Sequence, residues 1–178
     1  MATCRFCKSP DKKLIKAHII PRSIFKLVKK DKNYSVYFEA KKKGVRREFK
    51  QAGLYDENTL CAECEARFSK WDTHGGAVIC KPRGEADLYL DPHGIACGYH
   101  LKDADYELLM MFFLAVLWRA SVSTLKFFRQ VRLGAHEERI LQILKDGGPV
   151  PDTYAAILIQ SSTATLSRHD TTVLARSN

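Results

Sequence analysis

Two Cys-x-x-Cys pairs, Cys4–Cys7 in "CRFC" and Cys61–Cys64 in "CAEC", constrain this 178-residue chain more than any other feature. The x-x spacing lets both sulfurs of a pair face one ion, and four soft thiolates match tetrahedral zinc. Metal binding would also supply folding free energy to an N-terminal region of weak hydrophobicity. Cys4, Cys7, Cys61 and Cys64 are therefore assigned to one structural Zn²⁺. Ligands are expected rather than disulfides because the compartment is read as reducing. The stretch "MATCRFCKSPDKK" lacks the apolar run of a secretory signal, so the expected location is the cytoplasm. The longest apolar run, "LLMMFFLAVLW" from Leu108 to Trp118, is 11 residues. A bilayer takes about 20, so it reads as a buried helix and no membrane partner is expected. Cys80 and Cys97 read as small hydrophobes; Cys97 and His100 have ligand-like spacing but no second pair nearby.

Charge divides the chain. Residues 1–50 hold 16 Lys/Arg against 4 Asp/Glu, and residues 51–178 hold 13 against 16. The whole of the +9 excess thus lies in the part framed by the first cysteine pair, with Tyr34, Tyr37 and Phe38 interleaved. That confinement favours a polyanion, nucleic acid foremost. Arg22, Lys26, Lys41, Lys42, Lys43, Arg46 and Arg47 are the candidate phosphate contacts.

The pattern of elements predicts an α+β chain. Residues 1–74 read as short strands and turns closing on a helix in "CEARFSKWD". Residues 23–30 suit a basic amphipathic helix. Residues 34–40 alternate like a strand, with Gly44 placing a hairpin turn. Residues 75–102, rich in Gly and Pro, read as an irregular linker with a short strand near Leu88–Leu90. Residues 103–148 form a mainly helical subdomain. Its first helix is capped by Asp103 or Asp105 and runs on through "WRASVSTLKFFRQ"; its second, "AHEERILQILKDGG", stops at Gly147. Residues 149–178 begin like a strand and fade into a polar tail. A lone strand needs a partner, so it either pairs with an earlier strand or belongs to a larger domain.

A Cys-x-x-Cys pair, then "AHIIPR" at residues 17–22, then "LCAEC" running into a helix resembles the zinc-stapled branch of the HNH endonucleases. The resemblance covers residues 4 to about 72. It implies a treble-clef, ββα-metal module. It also implies a general base at His18, ahead of x-x-Pro, where a near-neutral imidazole suits proton abstraction from water. A water-positioning residue is implied at Asp56, or at Asn58 two residues out of register. A divalent ion, Mg²⁺ or Mn²⁺, is implied on Asp56 and Glu65. Three positions depart from the family pattern: Ala17 replaces an acidic residue, Asp56 replaces Asn, and Glu65 replaces the last His. His74 reads as a surface histidine in a glycine-rich turn, with a further ligand as the alternative. Trp118 and Arg119 read as packing residues.

The expectation is a metal-dependent hydrolase of phosphodiester bonds in nucleic acid, DNA before RNA. "LCAECEARFSKWD", "LWRASVS" and "VRLGAHEERI" also resemble bacterial HNH-like proteins. Some of these serve in antiphage defence beside an ATPase, which implies such a partner, a mobile-element role, or a homodimer through the helical subdomain. The alternative is a zinc-stapled module that binds nucleic acid or protein and has lost catalysis.

Overall fold

The computed structural model describes residues 3–24, 35–41, 44–50, 54–161 and 170–176, with backbone alone for 35–50 and 159–176. Eight strands form four two-stranded antiparallel pairs among these residues. β1 (Ala17–His18) pairs with β4 (Tyr55–Asp56), in register Ala17 to Asp56 and His18 to Tyr55. Between them in sequence runs a hairpin of β2 (Ser35–Lys41) and β3 (Gly44–Lys50), as the alternation and Gly44 predict. Arg46 and Arg47 lie on β3 opposite Glu39 and Phe38. The expected basic helix over 23–30 is described only to residue 24, where the backbone is helical from residue 22. The rest of it lies outside the described residues.

Helix α1 (Ala62–Cys80) starts at the second cysteine pair and runs past residue 74, where the sequence places the end of the first unit. Gly75 and Gly76 do not break it; they are where other elements approach. A Cβ on Gly75 would clash with the Phe112 ring, with Cδ1 and Cδ2 at 2.5 Å, and one on Gly76 would meet the Ser23 side chain. The glycines cost helix propensity, about 1 kcal/mol each relative to alanine. In return the helix axis comes close to Phe112, which is 3% exposed.

Phe112 belongs to α2 (Tyr106–Val122), the apolar run. A helix apolar on every side must be surrounded, and nine of its residues are buried, from Leu109 to Ala120. Its cap is Asp105, whose carboxylate accepts the Leu108 N–H at 3.0 Å. Asp103, the other candidate, instead bonds Arg83 and Lys81. The helix ends at Val122, short of the expected run through residue 130, and a 3-10 turn follows at Lys126–Phe128. Helix α3 (His136–Asp146) matches its predicted span, with Glu137 and Glu138 in its first turn and Gly147 left-handed at its end, φ 83°.

β5 (Leu88–Leu90) hairpins with β6 (Ala96–Tyr99), so the linker region holds two strands where one was expected. β7 (Ala155–Ser161) pairs with β8 (Asp170–Arg176). The strand at 155–161 finds its partner in the segment read as a polar tail.

One core joins the cysteine-bearing segment to the helices. Phe6 meets Phe68 edge-on at 5.4 Å and Trp118 at 5.6 Å, and Phe68 stacks on Trp118 at 6.3 Å. Val78, Leu141, Leu144 and Val150 belong to the same buried cluster. Burial of each large apolar side chain contributes roughly 1.5–3 kcal/mol, and Trp118 of α2 packs on both Phe6 and Phe68. Residues 1–74 and 103–148 therefore share their interior.

Candidate functional site

The first cysteine pair sits in a tight turn. The Lys8 N–H donates to the Cys4 carbonyl at 2.9 Å, and Lys8 takes the left-handed conformation, φ 61°, that lets the turn close. The second pair exploits a helix start: Cys61 is the cap of α1 and Cys64 lies in its first turn. Backbone bonds stitch the two together, Arg5 N–H to Thr59 carbonyl at 2.8 Å and Ile15 N–H to Leu60 carbonyl at 2.9 Å. The four sulfurs consequently lie within 4.8 Å of one another, the one cluster of three or more metal-ligating groups among the described residues. A tetrahedral zinc at Zn–S distances near 2.3 Å needs sulfurs ~3.8 Å apart, so the set is close to closed around an ion.

The donor chemistry fits a cation. Burial pushes the Cys64 thiol up, and the neighbouring cysteines add to the rise. Burial also opposes ionisation of Cys7, but hydrogen bonds from Ser9, Cys4 and Cys64 outweigh it and bring that thiol down to about 7. Four thiolates cannot share so small a volume unless a positive ion balances them. The Cys61 N–H also donates to the Cys4 sulfur at 3.4 Å, an outer bond that favours thiolate there. The cluster can hold a metal such as zinc.

One residue past Cys64 a second site begins. His18, Pro21, Arg22 and Ser23 form one wall of an open cleft of about 540 Å³, and Glu65, Ala66, Ser69, Asp72 and Thr73 form the other. The α1 residues recur at helical spacing, so one face of the helix delivers them all. His18 sits on β1 with both backbone polar groups turned away from β4. Its N–H donates to Glu65 Oε1 at 3.2 Å, and its carbonyl accepts from Arg119 Nη1 at 3.1 Å. The imidazole meets the Tyr55 ring edge-on at 6.4 Å and has no hydrogen-bond partner among the described residues. The other Glu65 oxygen, Oε2, is buried and has no hydrogen-bond partner among the described residues. Burial raises the Glu65 carboxyl above its ordinary value, against the nearby Arg119 charge and the His18 N–H, which lower it.

The structure thus brings together His18, Glu65 and Arg22 from the expected site and leaves Asp56 out. Asp56 is 1% exposed and does not line the cleft. Its carboxylate accepts from the Asn58 N–H (2.9 Å), Ser123 Oγ (2.9 Å), Thr124 N–H (2.5 Å) and Thr124 Oγ1 (3.0 Å). With both oxygens committed, it does not join Glu65 around the expected divalent ion. Asn58 is exposed, its amide 3.4 Å from Thr124 Oγ1. His74 is neither a ligand nor a free surface group: its Nε2 accepts the Asp105 N–H at 3.1 Å, holding the start of α2. Cys97 and His100 are exposed on and beside β6 and join no ligand cluster among the described residues. Lys26, Lys42 and Lys43 lie outside the described residues, and Lys41, Arg46 and Arg47 are described by backbone alone. Ser69, Asp72 and Thr73 escaped the sequence reading, although their spacing from Glu65 was a helical stripe. Arg119 was read as packing; an arginine inside an apolar run was a sign that a carboxylate must meet it.

Compared with protein-family models, curated proteins and solved structures, the chain gives no match. No helix among the described residues is long and apolar enough to cross a membrane.

Proposed function

We propose that this chain is a metal-dependent HNH-type endonuclease that hydrolyses phosphodiester bonds in nucleic acid, DNA foremost. One observation carries the reading: His18 is held by its backbone from two helices while its imidazole is left unbonded at a cleft it shares with Glu65. A histidine so placed can take a proton from water as the water attacks phosphorus. Glu65 Oε2, buried without a partner, offers a ligand oxygen for Mg²⁺ or Mn²⁺. Such an ion, when bound, supplies charge stabilisation at the phosphate, and it is commonly held by one or two carboxylates together with substrate phosphate and water. Arg22, exposed on the cleft wall, would meet a backbone phosphate. The basic excess of residues 1–50 would draw the polyanion in. By analogy alone, the setting is antiphage defence or a mobile element in the cytoplasm, with an ATPase or a second copy as protein partner.

A second reading, a zinc-stapled binding module without catalysis, is favoured by Ala17. It is wholly buried opposite Asp56, where the resemblance implies an acidic metal ligand. Incubation with supercoiled plasmid and with RNA, in Mg²⁺ or Mn²⁺, separates the two. Cleavage by the wild type that falls at least ~100-fold in His18→Ala, with nucleic-acid binding retained, supports the nuclease. If the wild type cuts neither substrate, even with any co-purifying partner present, the module reading takes its place.

A further inference from the structure

We infer that Arg119 is a positioning residue: from the last turn of α2 it fixes the backbone of His18, and so the direction of the imidazole in the cleft. The catalytic part of this inference rests on the nuclease reading. Arg119 is 1% exposed, and a guanidinium so placed must find carboxylate or carbonyl partners for its five N–H donors. Its fork meets Asp72 on α1 through two bonds, Nη1 to Oδ2 at 2.8 Å and Nη2 to Oδ1 at 2.6 Å. Nε donates to the Ala115 carbonyl at 3.2 Å, and the Phe68 ring lies 4.8 Å away. Those contacts already pair the buried guanidinium with a carboxylate. The remaining bond, Nη1 to the His18 carbonyl at 3.1 Å, leads out of the pair and into the cleft wall.

That bond matters because β1 is short. Two residues paired with β4 cannot fix the strand's outer edge, and the His18 N–H and carbonyl both lie on that edge. The next residue turns the other way, its Ile19 N–H reaching the Leu54 carbonyl at 2.9 Å. Glu65 and Arg119 occupy the place of an absent third strand, one accepting from His18 and the other donating to it. Asp72 orients the donor. A β1 held only along its β4 edge could pivot about that edge; held through His18 on its outer edge as well, it cannot.

The test uses the full chain. The double variant Arg119→Met/Asp72→Leu removes both charges together, so no unpaired ion stays buried, and Arg119→Lys keeps the charge but lacks the planar fork. Amide exchange of His18 and Ile19 is read by NMR beside that of Ile140 and Leu144 in α3, with plasmid cleavage measured on the same samples. Protection at His18 and Ile19 should fall while that in α3 holds. In the same variant kcat should drop by about tenfold to a hundredfold at unchanged KM, the usual effect of a misplaced catalytic group; Arg119→Lys should fall between. Unchanged protection at His18 in both variants overturns the inference whatever the enzyme does. Lost protection with unchanged kcat overturns the catalytic role of Arg119 and leaves the nuclease reading standing. Lost protection in a protein whose wild type never cuts supports the clamp on His18 and overturns the nuclease instead.

Discussion

Replacement of Asp56 by alanine should cost stability on a scale that its hydrogen bonds set. The buried carboxylate takes four of them, from the Asn58 N–H, the Ser123 hydroxyl and both the N–H and hydroxyl of Thr124. In doing so it fastens the end of α2 to β4. Hydrogen bonds to a charged group contribute about 1.5–3 kcal/mol each, and an unsatisfied buried donor costs about 1–3 kcal/mol. The full sum does not apply, because Asn58 and Thr124 are exposed and water can replace their lost partner. The bond from Ser123, the less exposed residue, carries the largest share, which leaves about 2–4 kcal/mol in all. For a chain of this size that is a fall in Tm of roughly 5–15 °C. The pH dependence follows from the same donors. Burial alone would push the Asp56 carboxyl up, but the bonds from Asn58, Thr124 and Ser123 outweigh it and hold the group below the ordinary carboxylate range. A depressed folded-state value contributes stability that is fully present above the unfolded pKa of about 3.9 and is lost as pH falls through the folded value. Urea unfolding followed by tryptophan fluorescence, at neutral pH and along an acid series, measures both. The gap between wild type and Asp56→Ala should be widest at neutral pH and close in acid. A variant within about 0.5 kcal/mol of wild type at pH 7 would refute the reasoning, since surface changes of no consequence fall in that range.

Other outcomes follow from the same geometry. One zinc per chain should co-purify, and a strong chelator or Cys64→Ser should unfold the N-terminal region; elemental analysis that finds no zinc in folded protein would count against the cluster as a metal centre. Gly75→Ala drives a methyl group against the Phe112 ring. It should destabilise by about 1–3 kcal/mol by overpacking, which exceeds the ~1 kcal/mol gained in helix propensity; a stabilised variant in thermal melts would show that α1 and α2 can part freely. Nucleic-acid affinity should fall steeply with salt, and charge reversal at Lys41, Lys42, Lys43, Arg46 and Arg47 should weaken it for every sequence; fluorescence anisotropy that shows salt-independent binding would exclude the polyanion interface.

What could be read in the sequence was what its own neighbours determine. A Cys-x-x-Cys pair declares its partner within three residues, and Asp105 caps the helix that begins beside it. Gly147 stops α3 through its own left-handed backbone. The misreadings came where a residue answers to something distant. Gly75 and Gly76 look like a chain break until Phe112 and Ser23 arrive from other elements to occupy the missing side chains' places. Asp56 sits where the resemblance implies a catalytic residue, but its main partners lie 67 and 68 residues further on. The segment 170–176 is polar by composition, and only its ladder with β7 shows it to be a strand. His18 and Glu65 are 47 residues apart, and the resemblance, which spans that distance, names both residues that the structure joins by one hydrogen bond.

The order of residues along α1 ties the metal cluster to the cleft. Cys61 and Cys64 stand at its first turn, Glu65 follows at once, and Ser69, Asp72 and Thr73 come on the next two turns. Asp72 lies about 12 Å of helix from Cys64. Without the cluster the start of α1 has no side-chain cap of its own, so the turn that carries Glu65 would be the first to fray. The His18 N–H would then lose its acceptor, and only the Arg119 bond would remain to hold the edge of β1. A metal bound at the four cysteines would therefore not be remote scaffolding for the cleft, although a four-thiolate site has no open position for substrate. Its loss should reach His18 through a single turn of helix before the aromatic core of Phe68 and Trp118 gives way.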